Sequence, residues 1–446
     1  MLHVKELNIV FFSITIFFSL TFFTIILKDI LNDRNYTSTL QNTSFRNKNR
    51  ERIYMKEFKY LEFDALYDNY VKKHNQIISD LLNPKLKKKN PPKVVVVKPD
   101  MATGYGNRFP GVICGFLYAI ISDRLFFIEG YRNFEDFFLL DFDHNWNSIK
   151  NFYNKNSSKY LHNIRNNDFP LITKGNFKDV DSFDILYVRT WDYVCAPIIS
   201  NPHYKDWIGR IIPDYRVFTA ISLRLFRLKL TYVDQIKNFI DNNFGDHNIG
   251  IHIRSKKTSL YRMVIPVEHY FHVVKTLLVG IKGKNVSIFI ASDTNDDRDK
   301  LAELLKSSNH FNNNTINVVY VENDMDIRNP VNFNPGTEAN AIVDMKILSF
   351  CDDLVITYGS SFGFIAAGWS YNAVSRQRGP YILMPIRNSS VDLLITDKVY
   401  VWGAATSEPC MYSSRILIEK EDKETVTIFK TNPFWLHHIQ CHWPSL

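Results

Sequence analysis

The chain has 446 residues, 45% of them apolar, with 34 Phe and 23 Tyr, which excludes general disorder and leaves room for two ordinary domains plus accessory segments. A formal charge of +8 raises the question of nucleic acid, but +7 of it falls in residues 28–93 and only +1 in residues 94–446. The basicity therefore belongs to a solvated linker that can also lie along a membrane surface, and no nucleic-acid partner is expected.

Leu7 to Leu27 is a charge-free run of 21 residues, long enough as a helix, at about 31 Å, to cross a hydrocarbon core. A cleaved signal peptide would show an apolar region of roughly 7–15 residues and a small-x-small site, whereas Lys28-Asp29-Ile30 follows here. Residues 1–27 thus read as a short cytosolic tail and an uncleaved transmembrane anchor. Lys5, Glu6 and Lys28 leave the flanking-charge rule silent on orientation.

Residues 28–93 read as a stem. Lys28 to Arg52 is polar, Tyr54 to Leu82 has the apolar spacing of a helix, and the Pro84–Pro92 stretch closes the segment. Sequons at Asn35, Asn42, Asn156, Asn285, Asn313 and Asn388 agree with a lumenal location. The five cysteines are too few for a disulfide scaffold, and Cys410 with Cys441, both in the C-terminal tail, is the candidate bridge.

From Lys93 the pattern becomes α/β. Strands are expected at Val94–Val97 and Leu125–Glu129, with a helix between them, inside a first domain over 94–245 whose middle part, Phe138 to Ile240, cannot be ordered. A second series over 246–405 has strands at Ile249–Ile253, Val286–Ala291, Ile316–Val321, Leu354–Tyr358 and Tyr381–Met384. Helices are expected at Val267–Ile281, Asp297–Lys306, Thr337–Phe350 and Phe362–Ser370, and residues 406–446 form a tail expected to pack back on the first domain. Short strands alternating with helices imply parallel, doubly wound sheets: two Rossmann-like halves, with ligands outside the carboxyl ends of the strands.

Three segments fall at such strand ends. Thr103-Gly104-Tyr105-Gly106-Asn107-Arg108 is neither a dinucleotide fingerprint nor a Walker loop, yet its glycines allow close backbone approach and Asn107 and Arg108 supply donors. In Gly250-Ile251-His252-Ile253-Arg254, His252 and Arg254 share one face of the strand. Arg254, at the carboxyl end, can make paired bonds to a diphosphate, or pair a carboxylate. After the third strand, Ser292 and Asp293 are placed for a nucleotide's ribose or base, or for capping the next helix.

The most telling stretch is DLVITYGSSFGFIAAG, Asp353–Gly368. A buried strand stops at Gly359, and Ser360, Ser361, Phe362 and Gly363 open a small-residue helix. Its first backbone N–H groups and two hydroxyls make an anion site, unless the serines satisfy them as a helix cap.

GYGNRFPGVICGFLYAIISDRLFFIEG, GIHIR, ASD, DLVITYGSSFGFIAAG and SEPCMY occur in the order in which similar blocks occur in the plant-type xyloglucan fucosyltransferases, and the chain resembles that family from about Lys93 to Cys441. The GIHIR and SSFGFIAAG blocks also look like motifs of the α1,2-, α1,6- and protein-O-fucosyltransferases. His252 stands where the plant enzymes usually have Gln, a departure that bears on the acceptor. The resemblance implies a GT-B-like architecture of two facing Rossmann-like domains in a type II Golgi membrane protein with its catalytic part lumenal. It implies an inverting fucosyltransferase that uses GDP-fucose without a metal or other cofactor and delivers fucose to a glycan or cell-wall polysaccharide hydroxyl, galactose 2-OH foremost. Protein-O- and N-glycan acceptors stay open. By position, Arg254 would bind the diphosphate, Ser360, Ser361 and Phe362 its phosphates, and Asp293 the nucleoside. Asn107 and Arg108, in the Gly104–Gly106 loop, would border the sugar.

Without a metal, an arginine and a helix N-terminus must stabilise the departing GDP, and Arg254 and the turn at 359–362 are the two candidates. Asp123, Glu129 and Asp192 are the candidate bases, and nothing in the sequence chooses among them. Two rivals remain. A metal-dependent transferase acting on another nucleotide sugar would use Asp141-Phe142-Asp143 or Asp324-Met325-Asp326 as its Asp-x-Asp, and a membrane-anchored glycan-binding pseudoenzyme would use no chemistry at all.

Overall fold

The computed structural model describes residues 60–85, 90–99, 103–131, 133–162, 169–189, 193, 198–199, 201–255, 264–307, 313–321, 335–370, 379–385, 399–404 and 406–409. The anchor expected over Leu7–Leu27, the stem up to residue 59, Asp192, Asp324-Met325-Asp326, Cys410 with Cys441, and the tail beyond residue 409 lie outside them. Among the described residues no helix is long and apolar enough to cross a membrane.

The first helix, α1 (Leu61–Leu82), buries Phe63, Tyr67, His74 and Ile78. Its spacing marks it as helical within the segment the sequence assigns to a stem; in the structure it packs as part of the folded body. Tyr70 packs edge-on against Phe116 with ring centroids 5.2 Å apart, the Tyr60 hydroxyl donates to Asp214 at 2.9 Å, and Arg224 pairs Asp64 at 2.5 Å. Spacing reveals an apolar stripe but not what it packs against.

Four parallel strands follow: β1 (Val94–Val97), β2 (Leu125–Ile128), β3 (Ser158–His162) and β4 (Ile185–Arg189), in the spatial order β2-β1-β4-β3. β1 is four valines with every residue buried, as a strand covered on both faces requires. Helix α2 (Tyr105–Ile121) connects β1 to β2.

The helices α3 (Val217–Leu225) and α4 (Leu230–Asn243) lead into a second sheet. It comprises β5 (His247–Ile253), β6 (Asn285–Ser292), β7 (Thr315–Val319), β8 (Asp353–Thr357), β9 (Tyr381–Pro385) and β10 (Val399–Gly403). Their order is β10-β9-β8-β5-β6-β7, all parallel except for the antiparallel edge strand β10, which the sequence reading missed. The helices of this half are α5 (Val267–Val279), α6 (Asn295–Lys306), α7 (Pro335–Phe350) and α8 (Ser361–Gly368).

Alternation along β5 works as the sequence implies. Ile249, Ile251 and Ile253 join the core beneath α5 and α6, and His252 lies on the opposite face. The other core runs without a break from the first sheet into α8. Trp369, 1% exposed, follows α8 and sits among three rings of the first half: Phe109 at 5.4 Å, Phe138 at 6.1 Å and Phe226 at 6.5 Å. The Thr219 hydroxyl also donates to the Gly368 carbonyl at 2.8 Å.

Candidate functional site

In the second sheet the chain runs β5-β6-β7 in one direction and then returns to the other side of β5 with β8. The strand order therefore reverses between β5 and β8, and the crevice outside the carboxyl ends at such a reversal is where open parallel sheets bind their ligands. Pairing of Ile251 with Val355 and with Ile290 keeps the three strands in step, so Arg254, Asp293 and the Gly359–Ser361 turn emerge side by side.

One hydroxyl fixes this edge. Thr357 Oγ1 donates to the His252 carbonyl at 2.9 Å and accepts from the Arg254 backbone N–H at 3.0 Å. Its single hydrogen is then used, so the Tyr270 hydroxyl, 2.6 Å away, is the donor to it. Burial pushes the Tyr270 phenol pKa up and keeps it protonated for that task.

The Arg254 guanidinium pairs with Asp293 at 2.7 Å, and the other Asp293 oxygen accepts from the Ser255 backbone N–H at 2.8 Å. Asp293, read from sequence as a nucleoside ligand or helix cap, is thus engaged as the anchor of Arg254. The cap of α6 is Thr294, and Ser292 Oγ accepts from the Thr294 N–H at 3.2 Å. Arg254 keeps 27% of its side chain exposed, enough for a ligand to reach it.

Gly359 has φ +76°, a left-handed conformation that favours glycine and lets β8 turn at once into α8. Ser360 is the N-cap, and its side chain makes no capping hydrogen bond. Of the two readings of these serines, the satisfied cap is therefore not the one realised. The first N–H groups of α8 stay available to an anion. Gly363 is buried within the helix.

The other half brings a second helix start to the same point. Gly104 is the N-cap of α2, also without a side-chain cap, and Asn107 N–H donates to its carbonyl at 2.9 Å. Gly106 lies so close to the α8 turn that a Cβ on it would sit 2.6 Å from Ser361 Oγ and 2.9 Å from the Phe362 nitrogen. Two positive helix ends abut with Arg254 beside them. Such an arrangement is electrostatically favourable with an anion at that point.

Two residues expected to touch the ligand are buried among protein contacts. His252 is 4% exposed and stacks on Phe362, with centroids 5.0 Å apart and planes at 20°, so it holds the turn from beneath. Arg108 is 1% exposed; its Nε donates to the Thr103 carbonyl at 2.8 Å and its Nη1 lies 3.5 Å from Glu338. Tyr105 donates to the other Glu338 oxygen at 2.9 Å, and the Arg108 guanidinium lies 4.7 Å from the Tyr105 ring centroid. The sequence reading missed Glu338 and Thr357. A lone acid opening a small-residue helix was the only signal for Glu338, and a hydroxyl ending an otherwise aliphatic strand the only one for Thr357.

Among the candidate bases, Asp123 lies in the turn at the amino end of β2, away from the crevice, and is held by Lys73. Glu129 lies at the carboxyl end of β2 and pairs Lys98 at 2.8 Å. The Asp-x-Asp at 141–143 is engaged elsewhere: Asp141 accepts from Arg227 at 2.7 Å and from Tyr67 at 3.3 Å, and Asp143 from the Asn145 N–H at 3.0 Å. Among the described residues, no group of three or more His, Cys, Asp or Glu could hold a metal ion. Cys114, on α2, is disulfide-bonded, and Cys351 is buried and free.

No protein-family model matches the chain, and no curated protein matches its sequence. Solved structures do. A mutant of Arabidopsis thaliana FUT1 in complex with GDP is 18% identical, the match covering 78% of this chain and 84% of that one, with a TM-score of 0.56. The α-1,6-fucosyltransferase NodZ, also solved from Bradyrhizobium, is 14% identical when soaked with GDP-fucose, over 70% of this chain and 99% of that one, with a TM-score of 0.40. POFUT1 in complex with GDP-fucose is 15% identical, over 63% and 94%, with a TM-score of 0.36. The chain shares the fold of the first: a mixed α/β body built on parallel sheets.

Proposed function

We propose that the chain is an inverting fucosyltransferase that takes L-fucose from GDP-fucose and delivers it to a glycan or cell-wall polysaccharide hydroxyl, galactose 2-OH foremost. One observation carries the reading: the starts of α2 and α8 meet at Gly106 and Ser361, next to Arg254 at the strand-order reversal. A diphosphate is the anion that fits two helix N-termini and a guanidinium at once. The fold shared with a GDP-bound protein supports the choice of nucleotide.

The chemistry follows from the charges. As the glycosyl–phosphate bond breaks, negative charge grows on the leaving diphosphate and positive charge on the sugar ring. Arg254 and the α8 N–H groups stabilise the first, and Asp293 holds the guanidinium in place. Glu129 is the described strand-end carboxylate that remains as the acceptor's base, and Glu338 holds Arg108 and Tyr105 in the first turn of α2, beside Gly106.

The reading includes a type II Golgi membrane protein with its body in the lumen. The disulfide at Cys114 fits an oxidising compartment, and the described sequon asparagines, Asn156, Asn285 and Asn313, are exposed.

The test is a GDP-fucose transfer assay with full-length protein on a glycan array, with and without EDTA. Transfer retained in EDTA is expected. Activity abolished by EDTA and restored by a divalent ion would replace the metal-free reading, and failure to bind GDP would remove the transferase reading.

A further inference from the structure

A second groove, of about 700 Å³, opens at the opposite end of the second sheet, by the amino ends of β5, β8 and β9. One wall is a single face of α5, where His269, His272, Thr276 and Gly280 recur at helical spacing with Val273 and Leu277 between them. The facing wall is Tyr381 of β9 and Val401 of the edge strand β10, and the turn Ile281–Lys284 closes one end.

Its chemistry is one-sided. Lys282 and Lys284 flank Gly283, whose φ is +62°, and both line the groove. Neither forms an ion pair among the described residues. His247, His269 and His272 add imidazoles. The one carboxylate in the lining, Asp353, is engaged by His247 Nε2 at 2.8 Å. The neighbouring acids are also engaged: Asp246 accepts from the Asn285 N–H at 3.0 Å, Asp352 from the Asn248 N–H at 2.8 Å, and Glu268 pairs Lys300 at 2.7 Å.

We infer that this groove binds an acidic oligosaccharide, a chain of sugar rings carrying carboxylates, at a site separate from the proposed donor crevice. The volume is that of a small-molecule pocket, roughly 300–1,000 Å³. Ammonium groups and imidazole N–H groups meet carboxylates and ring hydroxyls, while Val273, Leu277, Val401 and the Tyr381 ring offer apolar contact to the C–H faces of the sugars. A compact inorganic anion would use the lysines alone and leave the apolar strip and Tyr381 without a role. The inference does not depend on fucosyl transfer, because the groove lies at the other end of the strands.

The test is calorimetric titration of the full-length protein with trigalacturonate, neutral maltotriose and inorganic phosphate, with GDP binding as the control for an intact fold. Trigalacturonate is expected to bind, several-fold more weakly at 200 mM than at 50 mM salt, and at least tenfold more weakly to the Lys282→Glu/Lys284→Glu double variant with GDP affinity unchanged. If that variant loses GDP binding too, His272→Ala, on the outer face of α5, is expected to weaken trigalacturonate at least threefold. Absence of trigalacturonate binding, equal binding of maltotriose, phosphate binding as tightly as the sugar acid, or indifference to the substitutions would each overturn the assignment.

Discussion

Gly106 and Ser361 belong to different halves of the molecule, yet they touch: a Cβ on Gly106 would stand 2.6 Å from the Ser361 hydroxyl oxygen. The contact fixes the distance between two helix N-termini, and that distance determines whether one anion can bridge both. Any side chain at 106 must push α2 and α8 apart, because the Phe362 backbone nitrogen is only 2.9 Å from the same point.

Gly106→Ala tests this directly. Glycine-to-alanine inside a helix ordinarily stabilises by about 0.5–1 kcal/mol. Here the separation of the helix ends is expected to dominate, and GDP affinity should fall at least tenfold. Calorimetric titration measures it, and unchanged affinity would show that the two starts do not act on one ligand.

Arg254→Ala removes the only side-chain cation placed at the strand-order reversal among the described residues. Transfer should drop by roughly 10²–10³ in kcat, the usual cost of one transition-state donor, with the fold intact by circular dichroism. Asp293→Asn should act more weakly, raising KM for the donor about tenfold, since the guanidinium stays but loses its charged anchor. A folded Arg254→Ala protein with near-normal turnover would refute the role.

Arg108 and Glu338 form a buried pair 3.5 Å apart under the Tyr105 ring. Removing either partner leaves a buried charge alone, so Arg108→Ala and Glu338→Ala should each destabilise by about 3–5 kcal/mol in urea unfolding. Arg108→Met with Glu338→Leu should cost much less than the sum. If the effects simply add, the pair is not the unit described.

Glu408 is 1% exposed and accepts from the Tyr193 hydroxyl at 2.8 Å and the Phe218 N–H at 2.9 Å. Burial pushes its pKa up to about 8 from an ordinary 4.5, although these hydrogen bonds pull the other way. A raised carboxyl pKa means the folded protein holds the proton more tightly. The stability it supplies is complete below about pH 4.5 and is lost as pH rises to about 8. Glu408→Gln mimics the protonated acid, so it should match wild type at pH 4.5 and melt several degrees higher at pH 8.5. A constant difference in Tm across that range would contradict the prediction.

Strands buried on both faces were the most legible part of the chain. Val94–Val97 is read from sequence to the residue, and Asp353–Thr357 is offset by one, because aliphatic runs cut off by glycine or charge leave one solution. The edge strand Val399–Gly403 was missed because it is mostly exposed and pairs with a strand that ends fourteen residues back. The site was legible as three strand ends, but its pairings were not. Whether Asp293 binds a ligand or Arg254 depends on the register between β5 and β6, and whether Arg108 is exposed depends on α7, more than 200 residues away. Those are relationships between distant segments, which a local reading cannot supply.

The placement of Trp369 has a kinetic consequence. A nucleotide enzyme with two halves can admit its ligands by swinging those halves apart, provided their mutual surface is thin and wet. Here that surface is an aromatic core, and spreading the halves would bring Trp369, Phe109, Phe138 and Phe226 into water at roughly 1.5–3 kcal/mol per side chain. The crevice is therefore held at a nearly constant width. On the proposed function, the nucleotide sugar would have to enter and leave without the two halves parting.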